Sequence, residues 1–143
     1  MHEPAPTRSL TKSVTIDRPA KDVFAYLADA RNWPQWSVVN IFAVEATADP
    51  DWWQMTTTRG PGELRIRADA TNGLVDHDFR DPQAAWTVPA RVVPNGRGAE
   101  FLITFFKPEA LDDAEFDRQT SLIDTELAAL KKVLEDGARI APS

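Results

Sequence analysis

The chain reads as an α+β protein: a curved, seven-stranded antiparallel sheet closed on one side by a long C-terminal helix. Three observations predict this. From about residue 38 to residue 106, short apolar-rich segments alternate with turn signals. Two of those turns are Asn-Gly pairs, Asn72-Gly73 and Asn95-Gly96, the strongest short-range signal for a hairpin. After residue 112 the apolar positions fall on one helical stripe. Strands in one block followed by a helix make an α+β arrangement, not an alternating one.

Residues 9–16, SLTKSVTI, alternate as a strand does. Pro19 stands where a helix accepts proline, at its first turn, and Ala20, Val23, Phe24 and Leu27 share one helical face. This helix is short because Pro34, in RNWPQW, breaks it. The first hairpin joins VVNIFAVEAT to DWWQMTTT. With residues 48–51 as its loop, Phe42, Val44, Trp53 and Met55 share the inner face, Glu45 lies opposite Gln54, and Trp52 points outward.

A two-residue loop at Asn72-Gly73 sets Ile66 opposite Phe79, Ala68 opposite His77, and Ala70 opposite Val75. The other face of that hairpin carries Arg67 opposite Asp78 and Asp69 opposite Asp76. The same loop at Asn95-Gly96 sets Trp86 opposite Phe105, Val88 opposite Ile103, and Ala90 opposite Phe101. Outside lie Arg91 with Glu100 and Thr87 with Thr104. Both hairpins therefore have one apolar face, interrupted only by His77, and one polar face. In the last helix Asp112 and Glu115 make a cap and capping box. Phe116, Ile123, Leu127, Leu130 and Leu134 hold the stripe, and Gly137 offers the stop.

The 143 residues suit one domain spanning 1–143, with frayed ends at 1–8 and 139–143. A content of 43% hydrophobic and 27% charged residues is that of a soluble globular protein. The net charge of −6 argues against nucleic acid and anionic membrane surfaces as partners. No apolar run approaches the ~18–20 residues of a membrane span, and MHEPAPTRSLTKS has no secretory h-region. The cytoplasm is the default location. The absence of cysteine removes disulfides, thiolate nucleophiles and thiolate metal ligands. The GRG at 96–98 belongs to a hairpin and not to a phosphate loop, and no cofactor is expected.

A strongly twisted sheet of this length curls around the last helix and leaves a gap between them, where function is to be sought. At this point the chain resembles the START-like (SRPBCC) superfamily, and within it the polyketide cyclase/dehydrase type. The likeness rests on SVTIDRPAKDVFAYLADARNWPQWS, on GLVDHDFRDPQAAWTVPARVVPNGRGAEFLITFF, and on the long final helix. It implies a helix-grip fold with an apolar cavity between the curved sheet and that helix. Members of the superfamily bind lipids, sterols, plant hormones or aromatic polyketides, and some are cyclases or dehydratases.

His77, in GLVDHDFRD, is the candidate polar residue of that cavity. Asp76 and Asp78 point to the opposite face of the strand, so the three cannot converge on a metal ion. The other histidine, His2, lies at the N-terminal end, and no second ligand cluster is visible. Two readings remain for His77: a core histidine bonded to a backbone carbonyl or water, or a handle that orients a ligand or acts as general acid/base. The expected ligand wall is Phe42, Val44, Met55, Phe79, Trp86, Val88, Phe101, Ile103 and Phe105, with Ile123 and Leu127 from the helix. Thr57 joins it if the first hairpin closes as above.

Trp33 and Trp36 are expected near the base of the first helix, and Trp52 at the surface or in an interface. Arg59, Arg65, Arg67 and Arg80 are expected to pair with Asp69, Asp78 and their neighbours. Lys12 faces inward on this register. The first function expected is binding of a small apolar molecule, aromatic polyketide-like or lipid-like. The alternative is a cyclase or dehydratase using His77 as acid/base. The third is a protein-interaction module or homodimer formed through the outward Ala85, Pro89, Leu102 and Phe106.

Overall fold

The computed structural model describes residues 4–137. Of the ends expected to fray, 1–8 and 139–143, residues 1–3, His2 among them, and 139–143 lie outside the described residues. The elements in order are β1 (Ser9–Ile16), α1 (Ala20–Ala28), a single 3-10 turn, α2 (Trp33–Trp36), then β2 (Ile41–Ala46), β3 (Trp53–Thr57), β4 (Gly60–Asp69), β5 (Leu74–Arg80), β6 (Ala85–Val88), β7 (Ala90–Asn95), β8 (Gly98–Phe106) and α3 (Asp113–Glu135). The strands make one antiparallel sheet in the order β1-β8-β7-β5-β4-β3-β2, with β6 beside β5. The short helices α1 and α2 and the long α3 cover its concave face, which gives a helix-grip architecture.

The end signals of α3 act where the sequence places them. The Asp112 carboxylate accepts from the Glu115 N–H at 2.8 Å, which caps α3. Gly137 takes φ +85° just after the helix, a backbone conformation that favours glycine. Pro34 does not break the first helix as expected: α1 has already ended at Ala28, and Pro34 sits inside the first turn of α2, where its missing N–H costs nothing.

The first hairpin has the expected register, with Glu45 opposite Gln54 and Val44 opposite Met55. Both Asn-Gly hairpins are displaced by two residues from expectation. Asp69 accepts from the N–H groups of Thr71 and Asn72, which stretches the loop to residues 70–73 and sets Ile66 opposite His77 and Leu64 opposite Phe79. In the second, Asn95 pairs with Gly98, so Val92 faces Phe101 and Ala90 faces Ile103. Because each shift is even, every side chain keeps its expected face.

The expected strand through Trp86 and Val88 is interrupted at Pro89, so the sheet has eight strand segments in place of seven. β6 pairs with β5 and not with β8: Trp86 lies opposite Phe79, not Phe105, and Val88 opposite His77, not Ile103. The Asp76 carboxylate accepts from the Ala90 N–H at 2.9 Å and supports the start of β7.

Of the described glycines, Gly73, in the turn before β5, makes the closest approach to another stretch of backbone. It holds φ +70°, and a Cβ there would stand 2.2 Å from the Val92 carbonyl oxygen. Gly73→Ala is expected to cost about 2 kcal/mol or more, from the left-handed backbone plus a clash with a carbonyl that is held in the sheet. Chemical denaturation measures it. Gly96→Ala, where nothing lies within 4 Å, supplies the control for backbone strain alone.

Candidate functional site

The alternation of β4, β5 and β8 aims Leu64, Ile66, Val75, His77, Phe79, Phe101, Ile103 and Phe105 at the helices. Within this face the aromatic rings form one contacting row. Phe101 meets Trp36 edge-on at 6.2 Å between centroids, and Trp36 meets Trp33 at 4.9 Å. Trp33 meets His77 at 4.7 Å, His77 meets Phe79 at 5.3 Å, and Phe79 lies against Trp86 at 5.5 Å. The inner end is buried, whereas Trp86 at the outer end is 39% exposed, with the Arg59 guanidinium over its ring.

His77 stands in the middle of this row and is 2% exposed. Its Nδ1 lies 3.0 Å from the Val75 carbonyl oxygen. A carbonyl can only accept, so Nδ1 carries the proton and Nε2 is left as an acceptor. No protein partner of Nε2 occurs among the described residues. Burial pushes the imidazole down to about 4, against smaller opposing effects of the Val75 carbonyl and of Asp76 and Asp78. The ring is therefore neutral near pH 7.

Glu126 is a further buried ionisable group, and it had no part in the sequence expectations. One carboxylate oxygen accepts from the Ser37 hydroxyl at 2.9 Å and from the Val39 and Asn40 N–H groups, each at 3.1 Å. The Asn40 side-chain amide adds bonds of 3.2 Å to both oxygens. Burial raises its proton affinity, and these donors work against that rise. The residue ties α3 to the segment between α2 and β2. Its signal in the sequence is its position, three residues after Ile123 and four before Leu130, on the margin of the apolar stripe.

The convex face carries a polar cluster. Asp78, buried in the sheet, accepts from Arg65 at 2.9 Å, from Arg67 at 2.9 and 3.0 Å, and from the Thr87 hydroxyl at 2.6 Å. Burial alone would raise its proton affinity, but the Arg67, Thr87 and Arg65 bonds outweigh that and hold it well below the usual carboxylate range. Arg80 pairs with Glu63 and Arg59 with Asp81. Asp69, expected to join these pairs, instead caps its own turn. Lys12 faces α3 and bonds Asp124 at 2.8 Å.

Two expected positions are corrected. Phe42 was placed on the inner face with Val44, but a bulge between Ile41 and Ala43 turns it out; it is 57% exposed, and Ile41 takes the buried place. Trp52 was expected at the surface, yet it is only 8% exposed, because the Arg80 and Arg65 guanidinium groups cover its ring at 3.6 and 4.7 Å.

Met55, Val88, Phe101, Ile103 and Leu127 are buried, and Val44, Phe79 and Phe105 pack half-buried against them. Ile123 is buried on α3. The Thr57 hydroxyl is engaged in its own turn, donating to the Gly60 carbonyl at 2.7 Å. Of the outward residues, Ala85 and Phe106 are exposed, while Pro89 and Leu102 are half-buried.

Two surface depressions flank this core. One of about 430 Å³ is lined by Ala28, Pro50, Asp51, Trp53, Arg65, Ile66 and Arg67. The other, about 300 Å³, lies between Gln54, Pro61–Glu63 and Arg80–Pro82. His77 lines neither. Among the described residues no His, Cys, Asp or Glu cluster suits a metal ion, and no helix is long and apolar enough to cross a membrane.

Solved structures share this architecture. A START superfamily protein from Mycobacterium smegmatis superimposes with a TM-score of 0.72 at 13% identity, covering 90% of this chain and 97% of that one. The di-domain ARO/CYC BexL from the BE-7585A biosynthetic pathway gives 0.73 at 20% identity, over 90% of this chain and 46% of BexL. Aha1 from Colwellia psychrerythraea, solved as a dimer, gives 0.70 at 10% identity, with 92% and 99% covered. At these identities the likeness establishes the fold alone. No curated protein sequence matches the chain. The family described as polyketide cyclase / dehydrase and lipid transport matches residues 7–135. The chain belongs to that family.

Proposed function

We propose that the protein binds a small apolar molecule, aromatic or lipid-like, between the concave face of the sheet and α3. The observation that carries this reading is the aromatic row from Trp36 to Trp86, which joins a buried polar residue to the surface. The wall comprises Val44, Met55, Phe79, Trp86, Val88, Phe101, Ile103, Phe105, Ile123 and Leu127. Phe42 is outside it. His77 offers Nε2 as a hydrogen-bond acceptor in an otherwise apolar setting, which orients a ligand without requiring a charge.

The same imidazole is poorly matched to proton abstraction. A general base works best with a proton affinity near the working pH, and His77 is held at about 4. Binding therefore stands ahead of cyclase or dehydratase chemistry. The test is a titration of wild type and His77→Phe with naphthalene, 1-naphthol and a medium-chain fatty acid, read by tryptophan fluorescence. Loss of about tenfold in 1-naphthol affinity, or ~1.4 kcal/mol, is expected in the variant. Equal affinities would remove His77 from the site.

A further inference from the structure

Trp36 lies beside Phe101 in the buried part of the aromatic row and is 2% exposed, yet its indole Nε1 has no hydrogen-bond partner among the described residues. It is the exception in its neighbourhood. The Trp33 indole donates to the Leu27 carbonyl at 2.9 Å, and the Tyr26 hydroxyl bonds Gln35 at 2.8 Å. Ser37 reaches Glu126, and the Nδ1 of His77 reaches Val75. Buried N–H groups in native proteins are nearly always paired, and an indole N–H can only donate. An unpaired donor inside an aromatic lining is what a ligand oxygen satisfies.

The second observation comes from the other side of Trp33. His77 contacts the same indole ring, and its Nε2 is an acceptor without a protein partner among the described residues. A donor on Trp36 and an acceptor on His77 thus bracket Trp33. This pairing has a chemical preference. A plain hydrocarbon leaves both groups unmet, and an acyl chain offers nothing along its length. A carboxylate headgroup would have to be desolvated, and among the described residues no guanidinium stacks on the Trp36 ring.

We infer that Trp36 is the specificity-determining donor of the interior site and selects a neutral ring system bearing a carbonyl or phenolic oxygen. This rests on the binding reading above and extends it to the chemical class of the ligand. Trp36 acts by binding and moves no proton. A ligand that also carries a hydroxyl can donate it to the Nε2 of His77, so oxygenation at two positions is favoured over one.

The test compares 1-tetralone with tetralin, which share a ring skeleton and differ by one carbonyl oxygen. Both are titrated into wild type, Trp36→Phe and His77→Phe, with binding followed by indole ¹H–¹⁵N spectra. The five tryptophans give separate indole signals, and the one absent from Trp36→Phe belongs to Trp36. Wild type is expected to bind the ketone at least tenfold more tightly than the hydrocarbon, with the Trp36 indole proton moving downfield for the ketone alone.

Trp36→Phe is expected to bring the two affinities together while tetralin binding holds. If that variant does not fold, the wild-type indole shift still decides. Equal binding of both compounds with a stationary Trp36 signal overturns the donor role and leaves the binding reading in place. Binding of neither overturns both.

Discussion

Lowering the pH from 6.5 to about 4 is expected to remove on the order of 3 kcal/mol of folding stability through His77 alone. The unfolded chain protonates this imidazole near its ordinary value of 6.5, whereas the folded chain refuses the proton until about 4 because burial disfavours the cation. The contribution is complete above the unfolded value. It falls through that window and is exhausted below the folded one. His77→Gln keeps an N–H for the Val75 carbonyl and cannot ionise, so its stability should change far less over the same range. Urea denaturation of both proteins at half-unit pH steps measures the difference. Parallel curves would place the imidazole in contact with water.

Glu126→Ala is expected to cost about 3 kcal/mol, because the Ser37 hydroxyl and the Val39 and Asn40 N–H groups lose their acceptor together. Hydrogen exchange at Val39 and Asn40 should accelerate more than exchange in the central strands, since α3 would no longer hold the segment between α2 and β2. Glu126→Gln retains one carbonyl oxygen for the two backbone donors and should stay within about 1.5 kcal/mol of wild type. Its pH dependence carries the opposite sign to that of His77. Burial raises the carboxyl's proton affinity in the fold, so this residue adds stability as pH falls through its raised value towards the ordinary carboxylate range. Glu126→Gln removes that contribution. If both substitutions prove silent, the carboxylate is not the tie between α3 and residues 37–40.

The sequence made the architecture legible because its strongest signals are local. A capped amphipathic helix and alternating strands declare their own faces, and an even displacement of the hairpins leaves those faces unchanged. What escaped was decided by local turn and bulge chemistry and by contacts between distant segments. Asp69 lengthened one turn, Pro89 split a strand whose next N–H is held by Asp76, and a bulge turned Phe42 outward. Trp52 was hidden by arginines from neighbouring strands that sequence spacing cannot bring together.

The site divides in the same way. His77 was conspicuous as the polar member of an apolar strand face. Glu126 was visible in outline, as a carboxylate beside a buried stripe, but its donors come from a loop far away in the chain. That Trp36 has no partner among the described residues while Trp33 donates to Leu27 is a fact of tertiary packing, and periodicity carries no trace of it.

The central claim is the proposal that a small apolar molecule binds between the concave face and α3. Native mass spectrometry of the protein purified gently from its own host tests this most directly, followed by denaturation and extraction of whatever adds mass to the 15.9 kDa chain. A one-to-one adduct that is released on unfolding, and weakened in His77→Phe, is the expected result. The bare chain mass, together with no one-to-one uptake of added aromatic or acyl compounds, would contradict the account.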